Sequence, residues 1–293
     1  MFAINYRGQW LWVPAYAGTT WGVLTAHLLT GSHPQMIQRL LLALAVALIA
    51  RPAAAIVGGG GAPAENISRA VVTIIGSRGT FCTGSLIAQD LVLTAAHCVL
   101  PGAEYKVILP GETPPRLLDV KRVASHPQFN VQAILAHRAS ADVALLQLAA
   151  ALPASKAPAP LGAPMIPIQI GSRFTVAGVG VARRGDGKSG GAIRAADLAV
   201  TGKPGNLQVR LGDPLTNNLR DGLGACTGDS GAPVFEMQSG RAVITGVVSW
   251  STGANNTDGC GGLTGITPLT LYREWILRTA RAWGAGLRET RNP

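Results

Sequence analysis

The stretch Ala225-Cys226-Thr227-Gly228-Asp229-Ser230-Gly231-Ala232-Pro233 places one hydroxyl in a glycine-flanked turn that can leave it exposed. A serine hydroxyl alone is a weak nucleophile. It needs a base to take its proton, a group to orient that base, and backbone donors for the oxyanion that develops. Two other stretches supply candidates. In Thr94-Ala95-Ala96-His97-Cys98 a histidine ends a strand-like run beside a cysteine whose disulfide would fix the backbone from which the imidazole projects, and histidine is the natural base near neutral pH. In Ser140-Ala141-Asp142-Val143-Ala144-Leu145-Leu146 a carboxylate opens an apolar strand, where it can accept the second imidazole N–H and hold the tautomer. Taken singly, His97 reads more readily as an ordinary core or surface histidine, and Asp142 as a turn residue. Their company carries the argument.

These residues need a scaffold. The chain has 293 residues, 47% hydrophobic and only 14% charged, with 37 glycines. That balance suits strands and turns better than solvated helices or disorder. From Ile56 onward, short apolar runs alternate with Gly, Pro, Asn and Asp. Strands are expected over residues 70–75, 85–88, 91–94, 105–109, 143–148, 174–177, 207–211, 233–236 and 242–250, a spacing that argues for an all-β sandwich or barrel. The Ala/Pro-rich segment 151–164 divides them into a first half (about 56–150) and a second (about 165–270). Leu271 to Trp283 sets Tyr272, Ile276, Thr279 and Trp283 on one helical face, with Thr270 as the expected N-cap and the second half as the surface it packs against.

Met36 to Arg39, the apolar run Leu40 to Ala50 and Ala53-Ala54-Ala55 have the three parts of an export signal, so 36–55 reads as a signal peptide and the product as secreted or periplasmic. Residues 1–35 precede that signal and are expected to lie outside the mature protein. The four cysteines, Cys82, Cys98, Cys226 and Cys260, all follow it and show no Cys-x-x-Cys spacing. Three pairings are open; local order favours Cys82–Cys98 and Cys226–Cys260, each adding roughly 2–5 kcal/mol. The net charge of +10 includes Arg7, Arg39 and Arg51, and the other basic residues are scattered, with only Lys121-Arg122 and Arg183-Arg184 adjacent. That favours general solubility over a nucleic-acid footprint.

Five motifs in order, Ile56-Val57-Gly58-Gly59, Thr94 to Cys98, Asp142 to Leu146, Gly228-Asp229-Ser230-Gly231 and Ser249-Trp250, make residues 56–283 resemble the trypsin-like (chymotrypsin-fold, S1) serine proteases. The resemblance implies two antiparallel six-stranded barrels with a C-terminal helix. It implies a secreted endopeptidase in which Ser230 attacks, His97 relays the proton and Asp142 orients His97, through an acyl-enzyme. It assigns the oxyanion hole to the N–H groups of Gly228 and Ser230. It pairs Asp229 with a free α-amino group at Ile56, and it makes Ser249 to Ser251 an edge that binds substrate backbone. The usual basic residue before the mature Ile is replaced by Ala55. Cleavage by signal peptidase after Ala55 would therefore start the mature chain at Ile56 with no propeptide.

By position in the motif Gly224 forms the pocket floor, where an aspartate would select Lys or Arg. Ala225, Thr227, Trp250, Ser251 and Gly265 complete the pocket, so an apolar or small P1 residue is expected. The resemblance further implies a monomer acting on polypeptides, with a protein inhibitor as a second partner. No cofactor, metal, nucleic acid or membrane partner is expected once the signal is removed. A catalytically silent binding protein of the same fold and a serine esterase are the competing readings; the intact set of three residues favours catalysis.

Overall fold

The computed structural model describes residues 56–58, 60–136, 138–162 and 167–287. The expected signal at 36–55, residues 1–35, Gly59 and His137 lie outside them. Strands β1 (Val71–Gly76), β2 (Phe81–Ala88), β3 (Leu91–Thr94), β4 (Tyr105–Ile108), β5 (Leu117–Ser125) and β6 (Ala144–Leu148) close one barrel in the order β1-β2-β3-β6-β5-β4. A second barrel closes as β10-β11-β12-β9-β8-β7, from β7 (Arg173–Gly178), β8 (Arg194–Val200), β9 (Val209–Gly212), β10 (Pro233–Gln238), β11 (Arg241–Ser251) and β12 (Thr264–Pro268). All the pairings between these strands are antiparallel. This is the expected pair of six-stranded barrels.

Closure explains why several strands are apolar throughout. Side chains alternate across a strand, and here both faces are covered. Val72, Ile74, Leu86, Val92, Leu146 and Leu148 fill the first barrel, while Val71, Leu91, Leu93 and Leu145 point into a separate cluster with Phe235, Ile244 and Val247 of the second. Phe174, Val176, Leu198, Leu211 and Val234 fill the second barrel together with Ile56.

Three strands escaped the periodicity reading. In β5 the exposed Leu117 and the charged Asp119, Lys121 and Arg122 mask the alternation. In β8 small alanines and Asp197 do the same, although Ala196, Leu198 and Val200 alternate inward. The third, β12, carries Gly265 and Pro268 in only five residues.

Short helices α1 (Glu65–Ser68) and α2 (Val131–Leu135) lie in loops of the first half, and α3 (Arg273–Ala282) follows the second barrel. Two expectations for α3 need correction. Thr270 sits in a preceding 3-10 turn, and Tyr272 takes the N-cap position without a side-chain bond, so Thr270 caps nothing there. Nor does the helix pack on the second half alone. Tyr272, Ile276, Leu277 and Ala280 join the cluster shared by both barrels, Tyr272 lies edge-on to His126 at 4.9 Å, and Gln147 Nε2 donates to Trp283 O at 3.1 Å. Gly284 ends the helix at φ 71°, with Ala285 N–H bonded to Ala280 O and Gly284 N–H to Arg281 O, a Schellman close that favours glycine. Among the described residues no helix is long and apolar enough to cross a membrane.

Candidate active site

Adjacent antiparallel strands bring the base and its partner together. Thr94 pairs with Ala144 in the β3–β6 register, so His97, three residues past Thr94, and Asp142, two before Ala144, emerge at the same end. A 3-10 turn, Ala96–Val99, lifts His97 out of the strand over the fully buried Ala95 and Ala96. His97 Nδ1 lies 2.7 Å from Asp142 Oδ2, and the His97 backbone N–H donates to Oδ1 at 2.9 Å. Ser249 Oγ donates to Oδ2 at 2.6 Å.

Asp142 is completely buried, and a buried charge is tolerable only when it is well bonded. Burial pushes its carboxyl up. The hydrogen bonds and charge of His97 and the Ser249 hydroxyl together outweigh burial and hold the group below its ordinary value. Ser249, expected to bind substrate, therefore spends its side chain on Asp142.

The hydroxyl-bearing turn is seated on the first barrel. Thr83 N–H donates to Ser230 O at 2.9 Å, and Thr83 Oγ1 donates to Gly228 O at 2.7 Å. Gly231, at φ 78°, packs so closely that an added Cβ would lie 2.0 Å from Thr94 Oγ1 and 2.4 Å from Thr83 O. Ser230 is thus held beside the strand end that carries His97, half exposed to solvent. Gly228, at φ 94°, lies against the Phe81 ring. Among the described residues neither the Gly228 N–H nor the Ser230 N–H donates a hydrogen bond within the protein. His97 Nε2 lies 3.8 Å from Cys98 Sγ, which is bonded to Cys82, and the second disulfide joins Cys226 to Cys260. The cluster Cys82, His97 and Cys98 gathers metal-ligand atoms, but both sulfurs are tied up in the disulfide and offer no thiolate.

Asp229 is fully buried and accepts from Gly180 N–H at 2.8 Å and Cys226 N–H at 2.9 Å. Burial dominates and pushes its pKa up to about 6, against those two bonds and the charge of Arg194. Ile56 is buried in the second barrel, and Val57 forms a bridge to Gly224, which docks this segment beside the turn.

The expected pocket residues divide. Gly224 and Ala225 are buried side by side, and Gly224 backs onto Gly261, 3.0 Å from where a Cβ would sit. Thr227 and Ser251 are exposed and half-exposed beside them. Gly265 does not join them. It pairs with Trp250, whose indole covers it, with Cε2 2.0 Å from an ideal Cβ. Its buried neighbour Thr264 reaches Ala225 instead, where Thr264 Oγ1 accepts from Ala225 N–H at 2.9 Å. The register shift at Val248/Trp250 moves the strand by one residue relative to the sequence count.

Residues 56–276 match the family model named Trypsin. The chain belongs to the trypsin family. It is 31% identical to serine protease 56 of Mus musculus over 67% of this chain and 34% of that protein. It is 28% identical to a trypsin of Phaedon cochleariae (67% of this chain, 77% of that one) and 26% identical to the snake venom serine protease rhinocerase 4 of Bitis rhinoceros (72% and 82%). The match thus spans about a third of the mouse protein. Membership in the trypsin family makes the domain a serine-type endopeptidase by class.

Proposed function

We propose that this trypsin-family chain is an exported endopeptidase whose nucleophile is Ser230. His97 Nε2 takes the Ser230 proton as Oγ attacks the peptide carbonyl, and the imidazolium then protonates the departing amine to leave an acyl-enzyme. Water, deprotonated by the same nitrogen, releases the acid and restores Ser230. Asp142 holds Nδ1–H and stabilises the imidazolium. The N–H groups of Gly228 and Ser230 receive the oxyanion, consistent with their having no acceptor among the described residues. The observation that carries the reading is the buried Asp142 carboxylate fixed by His97 and Ser249 at the strand end beside the Ser230 turn.

The P1 side chain is apolar or small rather than Lys or Arg. Gly224 brings no counter-charge, and Thr264 fills space above it. Cleavage after Ala55 frees an α-amino group at Ile56 to pair with Asp229, and polypeptides and a protein inhibitor are the partners. A serine-directed phosphonate is expected to label protein that begins at Ile56 and not its Ser230→Ala variant, with turnover falling by about 10⁴ to 10⁶. Labelling that persists in Ser230→Ala, or none in the parent, refutes the assignment.

A further inference from the structure

Beyond the Ser230 turn the substrate edge opens into a cleft of about 580 Å³, large enough for one or two side chains. The edge is free because β10 pairs with β11 only as far as Val247, and the bonds that continue across it end at Val248. Trp250 and Ser251 are left half-exposed with β12 on one side and no strand on the other, while Ser249 just before them is buried against Asp142. The cleft floor is Trp250, whose indole rests on Gly265, and Gly265 is in register with Arg210 of β9. Ile134 and Arg138, from the segment that leads to Asp142, line the cleft together with Gln208 and Arg210.

The charges in this cleft are unequal. Arg138 and Arg210 are both exposed, and neither takes part in an ion pair among the described residues. Asp258 is the single acid of the lining, and its backbone oxygen accepts from the Arg184 guanidinium. Two guanidinium groups around an indole floor present a flat apolar surface with forked donors at its sides. That combination suits a carboxylate on a short aliphatic stem.

We propose that this cleft binds an acidic side chain of the substrate, two to four residues on the N-terminal side of the scissile bond. The inference rests on the endopeptidase reading above. It makes Arg138 and Arg210 specificity residues, and it makes the preferred substrate a segment with Asp or Glu shortly before a small residue.

The test uses peptides with alanine at P1 and Glu, Gln or Lys placed in turn at each of the three preceding positions. The parent enzyme and the double variant Arg138→Ala/Arg210→Ala are compared by kcat/KM. In the parent, Glu is expected to exceed Gln by about tenfold at one position in low salt, as a solvent-exposed charge pair allows, and to lose most of that lead at high salt. In the double variant the Glu-to-Gln ratio is expected to fall close to one. A ratio near one in the parent, or a lead that survives in the double variant, overturns the acidic subsite while leaving the peptidase intact. No cleavage of any peptide by protein that also resists the phosphonate overturns both.

Discussion

Thr264 shows how one residue would set the proposed P1 pocket. Its hydroxyl accepts the Ala225 N–H, and the residue is completely buried, so its methyl and hydroxyl fill volume that a glycine would leave open. Replacing it with glycine removes both. A pocket gains or loses roughly 10- to 200-fold in discrimination for a change of one or a few methylene groups. Thr264→Gly is therefore expected to raise the kcat/KM ratio of a phenylalanine over an alanine P1 peptide by about tenfold or more. Much of the change should come from poorer use of alanine, because the Ala225 N–H loses its partner. An unchanged ratio in a variant that folds normally would remove Thr264 from the pocket. The sequence points to Gly265 at this place. Only the pairing of β11 with β12 reveals the one-residue offset, because a bulge leaves no local mark in composition.

At the scale of elements, the site depends on how closely the Ser230 turn sits on β2 and β3. Gly231 is the contact. It holds a left-handed φ of 78°, and the atoms an added methyl would meet include Thr83 O and Ala95 N, which are backbone and cannot rotate away. Gly231→Ala is expected to lower stability by about 2 kcal/mol or more and to reduce kcat by shifting Ser230 from His97. Urea unfolding and peptide turnover read the two effects separately, and a midpoint equal to that of the parent would mean the seating is loose. Ala232, one residue on, is itself buried without difficulty, so the constraint belongs to the turn position and not to the whole motif.

Much at this scale is legible in the sequence. Nine strands announce themselves by apolar runs between turn residues, whereas the imidazole and carboxylate are picked out only by the company of the glycine-flanked hydroxyl and of each other. The missing strands are those whose outward faces carry charge or whose inward faces are alanine, as in β5 and β8. The contact of Ser249 with Asp142 and the meeting of Arg138 with Arg210 join residues over 70 positions apart, and no local pattern encodes them. For α3, the apolar stripe is readable, but the two-barrel seam it covers exists only after both barrels close.

Over the whole molecule, the uncut chain carries an electrostatic burden at Asp229. Its folded pKa of about 6 lies above the ordinary 3.8. A raised acid pKa contributes stability that is fully present below about pH 3.8 and is lost as pH rises through about 6, and the shift amounts to about 3 kcal/mol. In that chain Ile56 also holds φ 47°, an unfavourable region for a β-branched residue. Cleavage before Ile56 removes the peptide bond that defines this φ and supplies a cation beside the turn, since Val57 already bridges to Gly224.

A chain that starts at Ile56 should therefore be more stable near pH 7 than the same chain extended by two alanines, by about 2–3 kcal/mol, and equal to it near pH 4. Asp142 and His126, whose pKa values are both lowered, titrate in both forms and cancel in the comparison. Urea midpoints at the two pH values read the difference directly. If both forms lose stability in parallel between pH 4 and 7, the amino group of Ile56 does not reach Asp229, and the pocket is shaped without the cut.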